Sequence, residues 1–372
     1  GKLCLRICRD LQPEKGREKG MSISNDYLIT ENPLRALIRF CAPMIAGNLF
    51  QQAYTIVDSA IVGHYNGETA LAAVGASYSL TTIFICVAIG GGIGASVIIS
   101  HHFGARRYGQ MRSAVSTAML TFLGISVLLS AVGLLFSRQI MAARNTPADA
   151  LEIAVRYLNV YFYGLPFLFM YNILSALFNA LGKSRIPLYF LIFSSLLNVA
   201  LDWYLVAVQG AGVLGAAYAT FLAQGIAAVL SFLVFCRELR QYEGASDGLF
   251  RQKELLAMAR IALPSIGMLL VQSVVNGFGT QVLAGFSAAM RIESLCVVPM
   301  SAIGNALSSY TAQNLGAGRA DRVTQGYRDA NRMVLLIAVF LCAVLELFRS
   351  PIIALFLDQA PSAQTVATGE SY

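Results

Sequence analysis

Charge is what this sequence has least of: Asp, Glu, Lys and Arg together make up 13% of its 372 residues, against 56% hydrophobic ones. That is too little polar side chain to cover a soluble globule, and with a mean hydropathy of +0.63 it points to an integral membrane protein. Histidine is nearly absent as well. His101 and His102 have no partner at metal-ligand spacing, so they are expected to be solvated residues at the start of a loop. The cysteines are too scattered for a disulfide or zinc framework. Cys4, Cys8, Cys41, Cys86, Cys236, Cys296 and Cys342 have no second pair to complete a metal site, and five lie in or beside apolar runs, as small hydrophobes do.

Other absences narrow the function. No basic face exists of the kind a nucleic-acid domain carries, because the Lys and Arg residues behind the net charge of +7 fall in short clusters between apolar runs. No dinucleotide fingerprint exists either: Gly90, Gly91, Gly92 and Gly94 lie inside a membrane run and fit close helix packing. Residues 1–20 are polar and basic with no continuous apolar core, so they are not a cleavable signal peptide, and Met21 is a candidate natural start. No catalytic constellation or cofactor motif stands out, so the chain is not read as an enzyme.

What the chain has is long apolar runs. A hydrocarbon layer of ~30 Å needs ~20 apolar residues per helix. About nine such runs occur: Cys41 to Gly63, Ser77 to Ser100, Ala114 to Ser137, Ile153 to Phe178, Pro187 to Val208, Val213 to Cys236, Ala257 to Gly277, Leu295 to Ala312 and Met333 to Phe348. The reading is an all-α polytopic membrane protein. It divides into a segment 1–40, a six-helix lobe 41–236, an interlobe loop 237–256 and an incomplete second lobe 257–372. Alternate connections carry the basic residues, among them Arg106, Arg107, Arg112, Lys183, Arg185, Arg237, Arg240, Arg319 and Arg322. That excess places the N-terminus and the interlobe loop in the cytoplasm of a multi-pass protein of the cell membrane.

The two parts repeat each other. Sliding the chain by 212 residues overlays Gly67 to Arg107 on Gly279 to Arg319 without a gap, matching Gly92, Ser96, Gly104, Ala105 and Arg107 with Gly304, Ser308, Gly316, Ala317 and Arg319. An even number of runs separates the copies, so the repeat is parallel, about an axis along the membrane normal. Counted from Pro43 and Pro264, the seventh run is short by nine residues, and the chain ends where the fourth run of the second copy would begin.

The candidate chemistry lies in the first lobe. Asp202 sits in an apolar run with Asn198 one turn before it, and a carboxylate at hydrocarbon depth marks a functional site by default. Counting at ~1.5 Å per residue puts Asp58, Asp202 and Thr220 all ~8 to 10 Å below the outer interface, with Asn198 a turn deeper. Carboxylate, amide and hydroxyl oxygens suit a hard cation such as Na⁺. Two carboxylates close together in apolar surroundings also cannot both ionise cheaply, so one would carry a proton. Five residues are substrate-cavity candidates: Gln51, Tyr54 and Gln224 share helical faces with the residues above and fit interhelical hydrogen bonds equally, while in the fourth run Asn172 also fits a kink and Met170 fits packing better.

Three stretches carry a family resemblance. Pro43 to Gly75 (PMIAGNLFQQAYTIVDSAIVGHYNGETALAAVG), the turn Phe103-Gly104-Ala105-Arg106, and Gln313-Asn314-Leu315-Gly316-Ala317-Gly318 resemble the multidrug and toxic compound extrusion (MATE) transporters. The resemblance implies two pseudo-symmetric six-helix bundles in a V, of which this chain would hold about nine helices and be C-terminally truncated. It also implies export of amphipathic, often cationic, organic compounds in exchange for Na⁺ or H⁺, with membrane lipids around it. The family's ion site, an Asp on helix one, an Asn and an Asp four apart on helix five, and a Thr on helix six, would fall on Asp58, Asn198, Asp202 and Thr220. A second carboxylate site that some members build from helices seven and ten has no place here. Two other readings remain open. A lipid-linked oligosaccharide flippase should line its cavity with Arg or Lys, whereas the first six runs carry only Arg156; an intramembrane aspartyl protease should show Gly-x-Gly-Asp, whereas Asp202 follows Val-Ala-Leu.

Overall fold

The computed structural model describes residues 26–143, 148–242, 244, 248–278 and 284–347, with the side chains of 56–79, 143, 148–150, 272–278 and 284–295 left out. Its helices, in order, are α1 (Tyr27–Thr30), α2 (Pro33–Gly104), α3 (Tyr108–Ala143), α4 (Ala148–Ala180) and α5 (Arg185–Asp202), the last continued by a π-helix at Trp203–Val208. Then come α6 (Gly212–Leu239), α7 (Gln252–Phe278), α8 (Ala284–Gly316) and α9 (Ala320–Leu347). No strand occurs among the described residues.

The first two apolar runs form one element. α2 is helical through 72 residues, which as a straight rod would be about 108 Å long. Its ends nevertheless meet: Arg106 Nη2 lies 3.0 Å from Asp26 Oδ2, on the two sides of the element. The chain must therefore double back inside α2, whose arms at 33–55 and 80–104 are antiparallel. The break expected between Gly63 and Ser77 contains no non-helical residue. No proline lies in that stretch, and Glu68, Ala70, Leu71, Ala72 and Ala73 all favour helix.

The other seven runs match α3 to α9, each helix beginning before its apolar run. α7 begins within the polar segment, at Gln252, and reaches 27 residues, so the shortening expected of the seventh run does not leave it too short to span. Among the described residues, seven helical stretches are long and apolar enough to cross a membrane. The second arm of α2 is the central one, with 61% of its apolar stretch buried, against 6% for α9.

Glycines let that arm sit in the middle. A Cβ on Gly90 would come 2.9 Å from Ile266 N, one on Gly91 2.0 Å from the Phe122 ring, and one on Gly94 2.5 Å from Met258 O, so α7 and α3 approach the arm more closely than any side chain allows. Around it, Phe122, Phe162, Phe169, Phe178 and Phe235 fill the main core, with Phe178 and Phe235 edge to face at 5.1 Å. The outward faces are apolar too: Leu135, Leu336 and Phe340 are exposed, as lipid-facing residues are.

The helix ends are built alike in both copies of the repeat. Ala105, Arg106 and Arg107 donate backbone N–H bonds to His101, Phe103 and His102 carbonyls, while Ala317, Gly318 and Arg319 donate to Gln313, Leu315 and Asn314. Each turn ends in a left-handed residue, Gly318 at φ 75° and Arg106 at φ 57°. The offset of 212 read from the sequence therefore governs backbone hydrogen bonding as well.

Candidate functional site

α5 and α6 pack against one another and bring Asn198 to Thr220. Asp202, the last α-helical residue before the π-helix, is fully buried, and Asn198 is nearly so. One orientation of the Asn198 amide satisfies both of its ends. Its nitrogen then donates to Asp202 Oδ2 at 3.0 Å and to Tyr54 Oη at 2.9 Å, and its oxygen accepts from Thr220 Oγ1 at 3.3 Å and Thr220 N at 3.1 Å. A single amide thus ties the first arm of α2, α5 and α6 together. Buried polar groups joined this way hold a unique arrangement, because breaking any bond leaves a desolvated partner behind. The π-helix widens the backbone immediately after Asp202, as such turns commonly do at functional sites.

Beside Thr220 lies a small cavity between α4 and α6. It is lined by Tyr157, Tyr161, Leu168, Phe221 and Gln224 among others, with a volume of about 30 Å³. That is room for a water or two, not for a drug-sized compound.

A second polar assembly closes one end of the bundle. Gln313 Nε2 donates to Ala180 O at 2.7 Å, Asn314 Nδ2 to Leu28 O at 3.1 Å, and Arg319 Nη1 to Ile29 O at 3.0 Å. Tyr27 Oη donates to Gly182 O at 2.8 Å, and Lys183 is paired with Glu238. Burial raises the Tyr27 hydroxyl above its usual pKa, keeping it a donor. Every turn in this assembly is one of the basic connections.

Comparison with known proteins is decisive for the family. The sequence profile of the MatE family matches residues 43–204 and 256–369. The chain belongs to the MATE transporter family. The probable multidrug resistance protein YpnP of Bacillus subtilis is 30% identical over 348 residues, covering 92% of this chain and 78% of its own. A second Bacillus subtilis relative, the probable multidrug resistance protein YoeA, is 30% identical over 363 residues, covering 91% of this chain and 78% of its own. The FAD transporter of Shewanella oneidensis is 25% identical, covering 87% and 74%. Among solved structures, an outward-facing multidrug resistance MATE transporter superposes with a TM-score of 0.86 at 24% identity, covering 95% of this chain and 80% of its own. A MOP superfamily transporter from Pyrococcus furiosus gives 0.85 at 24%, with the same coverage. MATE proteins are transporters and not enzymes, which removes the protease reading.

Within this MATE fold, the sequence candidates divide. Asn198, Asp202, Thr220 and Tyr54 come together. Asp58 lies one turn after Tyr54 on α2, and its side chain is outside the described residues. Gln224 joins Thr220 at the small cavity. The other three stand apart from the cluster. Asn172 Nδ2 bonds Leu168 O of its own helix at 2.8 Å, Met170 packs on the main core, and Gln51 is exposed.

One expectation is reversed. His101 and His102 are not solvated: each is 3% exposed, and His102 Nε2 lies 3.1 Å from Glu254 Oε2. The apolar run ends at Ser100, but the helix carries on to Gly104, and α7 and α8 from the other half cover its last turn. The offset of 212 holds the signal that was missed. It pairs His101 with Gln313, inside the Gln-Asn-Leu-Gly-Ala-Gly motif, which is a weak place for a loop residue.

Proposed function

We propose that this MATE protein is a secondary antiporter that exports amphipathic or cationic organic compounds in exchange for Na⁺ or H⁺. The coupling ion binds at Asp202, Asn198 and Thr220, with Tyr54 and Asp58 beside them. The observation that carries this reading is the Asn198 amide, which joins a fully buried carboxylate to a hydroxyl on each of two other helices. A proton would neutralise Asp202 and weaken its bond to the amide nitrogen. A sodium ion would replace the amide protons and turn the amide oxygen toward the carboxylate, giving the all-oxygen donor set a hard cation takes. Either event changes the bonds between the first arm of α2, α5 and α6. The ion can drive transport only if one arrangement of these helices binds it more tightly than the other.

The multidrug-resistance names of the two Bacillus subtilis relatives support the substrate class. The gathering of Arg106, Lys183, Arg319 and Arg322 at one end of the bundle supports a cytoplasmic location for that end, and with it the N-terminus, in a cell membrane. Among the described residues, no basic side chain lines the cavity beside Thr220, which gives no support to a pyrophosphate-linked substrate.

The test is reconstitution in liposomes with a fluorescent organic cation, driven by a Na⁺ gradient and by a pH gradient in separate runs. One of the two gradients should drive movement, and Asp202→Asn should abolish that dependence. Undiminished ion-driven transport by Asp202→Asn would overturn the assignment.

A further inference from the structure

The second arm of α2 ends in two adjacent buried histidines at the crossing of the two halves. His102 faces Glu254 on α7, and the rings of His101 and His102 meet edge to face at 5.8 Å. The backbone carbonyl of His101 is the atom against which Gly316 of α8 packs. The charged groups that face the pair are few. Glu254 comes from α7 and Arg107 from the turn that follows, while Arg251, the residue before α7, acts on Glu254. Beside the pair, Gln313 Nε2 of α8 donates to the Ala180 carbonyl of α4, which Ser100 Oγ, one residue before His101, also meets. Neither Nδ1 atom has a hydrogen-bond partner among the described residues.

Two imidazoles thus share one carboxylate. A charge on His102 would be balanced by Glu254, but a charge on His101 would be buried with no anion of its own and with Arg107 near it. While the two halves stay closed here, a second positive charge in the cluster would have no carboxylate to balance it. Once they part, water reaches both rings, and a hydrated imidazole takes a proton near pH ~6.5. We infer that His101, His102 and Glu254 form a proton-binding site between the two halves, separate from Asp202, through which acid at the basic end of the bundle favours opening of that end. The inference rests on the proposed transport reading in one respect, that this end opens during the cycle.

Linkage fixes the size of the effect. One extra proton taken up by the open form changes the open-to-closed ratio about tenfold per pH unit below ~6.5. The experiment is hydrogen exchange read by mass spectrometry on the protein in lipid nanodiscs at several pH values, with rates corrected for intrinsic chemistry. It follows amides 101–107 and 313–319. In the wild type their corrected exchange should rise about tenfold per unit below pH ~6.5 and stay flat above it. His101→Gln/His102→Gln, which puts at 101 the residue that the second copy carries at Gln313, should be flat throughout. Gly124→Ala, at a helical position where an added Cβ meets nothing within 4 Å, should respond as the wild type does. A flat wild-type profile overturns the inference without needing any variant, and so does a double variant that still rises. Liposome transport measured in parallel separates the two readings. Transport with flat exchange removes this site alone, whereas responsive exchange without transport supports the site and removes the antiporter.

Discussion

A Cβ on Gly104 would lie 2.0 Å from the carbonyl oxygen of Gln313, and one on Gly316 would lie 2.1 Å from the carbonyl oxygen of His101. Gly104 and Gly316 are 212 residues apart, as are His101 and Gln313. The two approaches are therefore one contact made twice, and they mark where the pseudo-two-fold axis passes between the second arm of α2 and α8. Ser96 and Ser309, with hydroxyls 3.2 Å apart, lie two turns further along the same crossing.

Backbone cannot move aside as a flexible side chain can, so Gly104→Ala and Gly316→Ala should each destabilise the protein by about 1–3 kcal/mol. Their equivalence is the sharper expectation: the two melting temperatures in detergent should fall by similar amounts. Gly124→Ala, at a helical position where an added Cβ meets nothing within 4 Å, should leave the melting temperature unchanged or raise it slightly. A loss at Gly104 with none at Gly316 would count against the shared contact.

The legibility of this fold follows from which interactions are local. Apolar runs are read directly, and all nine appear as helices or helix arms, because in a bilayer a run of that length has no other way to satisfy its backbone. Depth along each run was enough to bring Asn198, Asp202 and Thr220 together, since all three lie near the ends of helices joined in sequence. The same reasoning could not tell that Asn172 bonds the carbonyl of Leu168 four residues before it, a choice open to any polar side chain in a helix. Nor could it see that His101 and His102 are covered. The residues that meet them, Glu254 and Gly316, lie over 150 and 200 positions away in sequence, and no local pattern reports them. The doubling back of α2 without a non-helical residue escaped for a related reason. The reversal itself follows from the alternating connections, and the meeting of Asp26 and Arg106 records it, but no local pattern reports that the turn stays helical.

The hydroxyls around Asn198 should be worth unequal amounts. Tyr54→Phe removes one acceptor of an amide proton and leaves Asp202 as the other, so the affinity for the coupling ion should change about three- to tenfold, the worth of one hydrogen bond. Thr220→Ala takes away an oxygen that either a cation or the amide uses, and should weaken ion dependence further. Thr220→Ser should restore it. The checking measurement is transport rate against ion concentration for each variant; a Thr220→Ser variant as impaired as Thr220→Ala would assign Thr220 to packing.

Arg106 is the only non-glycine residue with positive φ among the described residues, and its counterpart in the repeat is Gly318. Left-handed backbone costs a residue with a Cβ about 1 kcal/mol. Arg106 also holds Asp26, a pair that is partly exposed and that Arg106→Gly and Arg106→Ala lose alike. Arg106→Gly should therefore be more stable than Arg106→Ala by about 1 kcal/mol. Thermal unfolding of the two variants side by side checks it, and equal stability would mean the turn relaxes without strain.

Lys183 and Glu238 join the α4–α5 turn to the end of α6, with side chains 18% and 10% exposed. Partial burial makes each charge dependent on the other, because the survivor of a single substitution is left poorly solvated. Lys183→Met and Glu238→Gln should each cost about 1–3 kcal/mol of stability. The double variant should cost less than the sum of the two, giving a coupling of about 1–2 kcal/mol in a double-mutant cycle. Additive costs would show that the two residues act separately. A strong coupling would instead mark this turn as a fixed part of the first lobe, so that opening of the basic end has to occur at the crossing of α2 with α7 and α8.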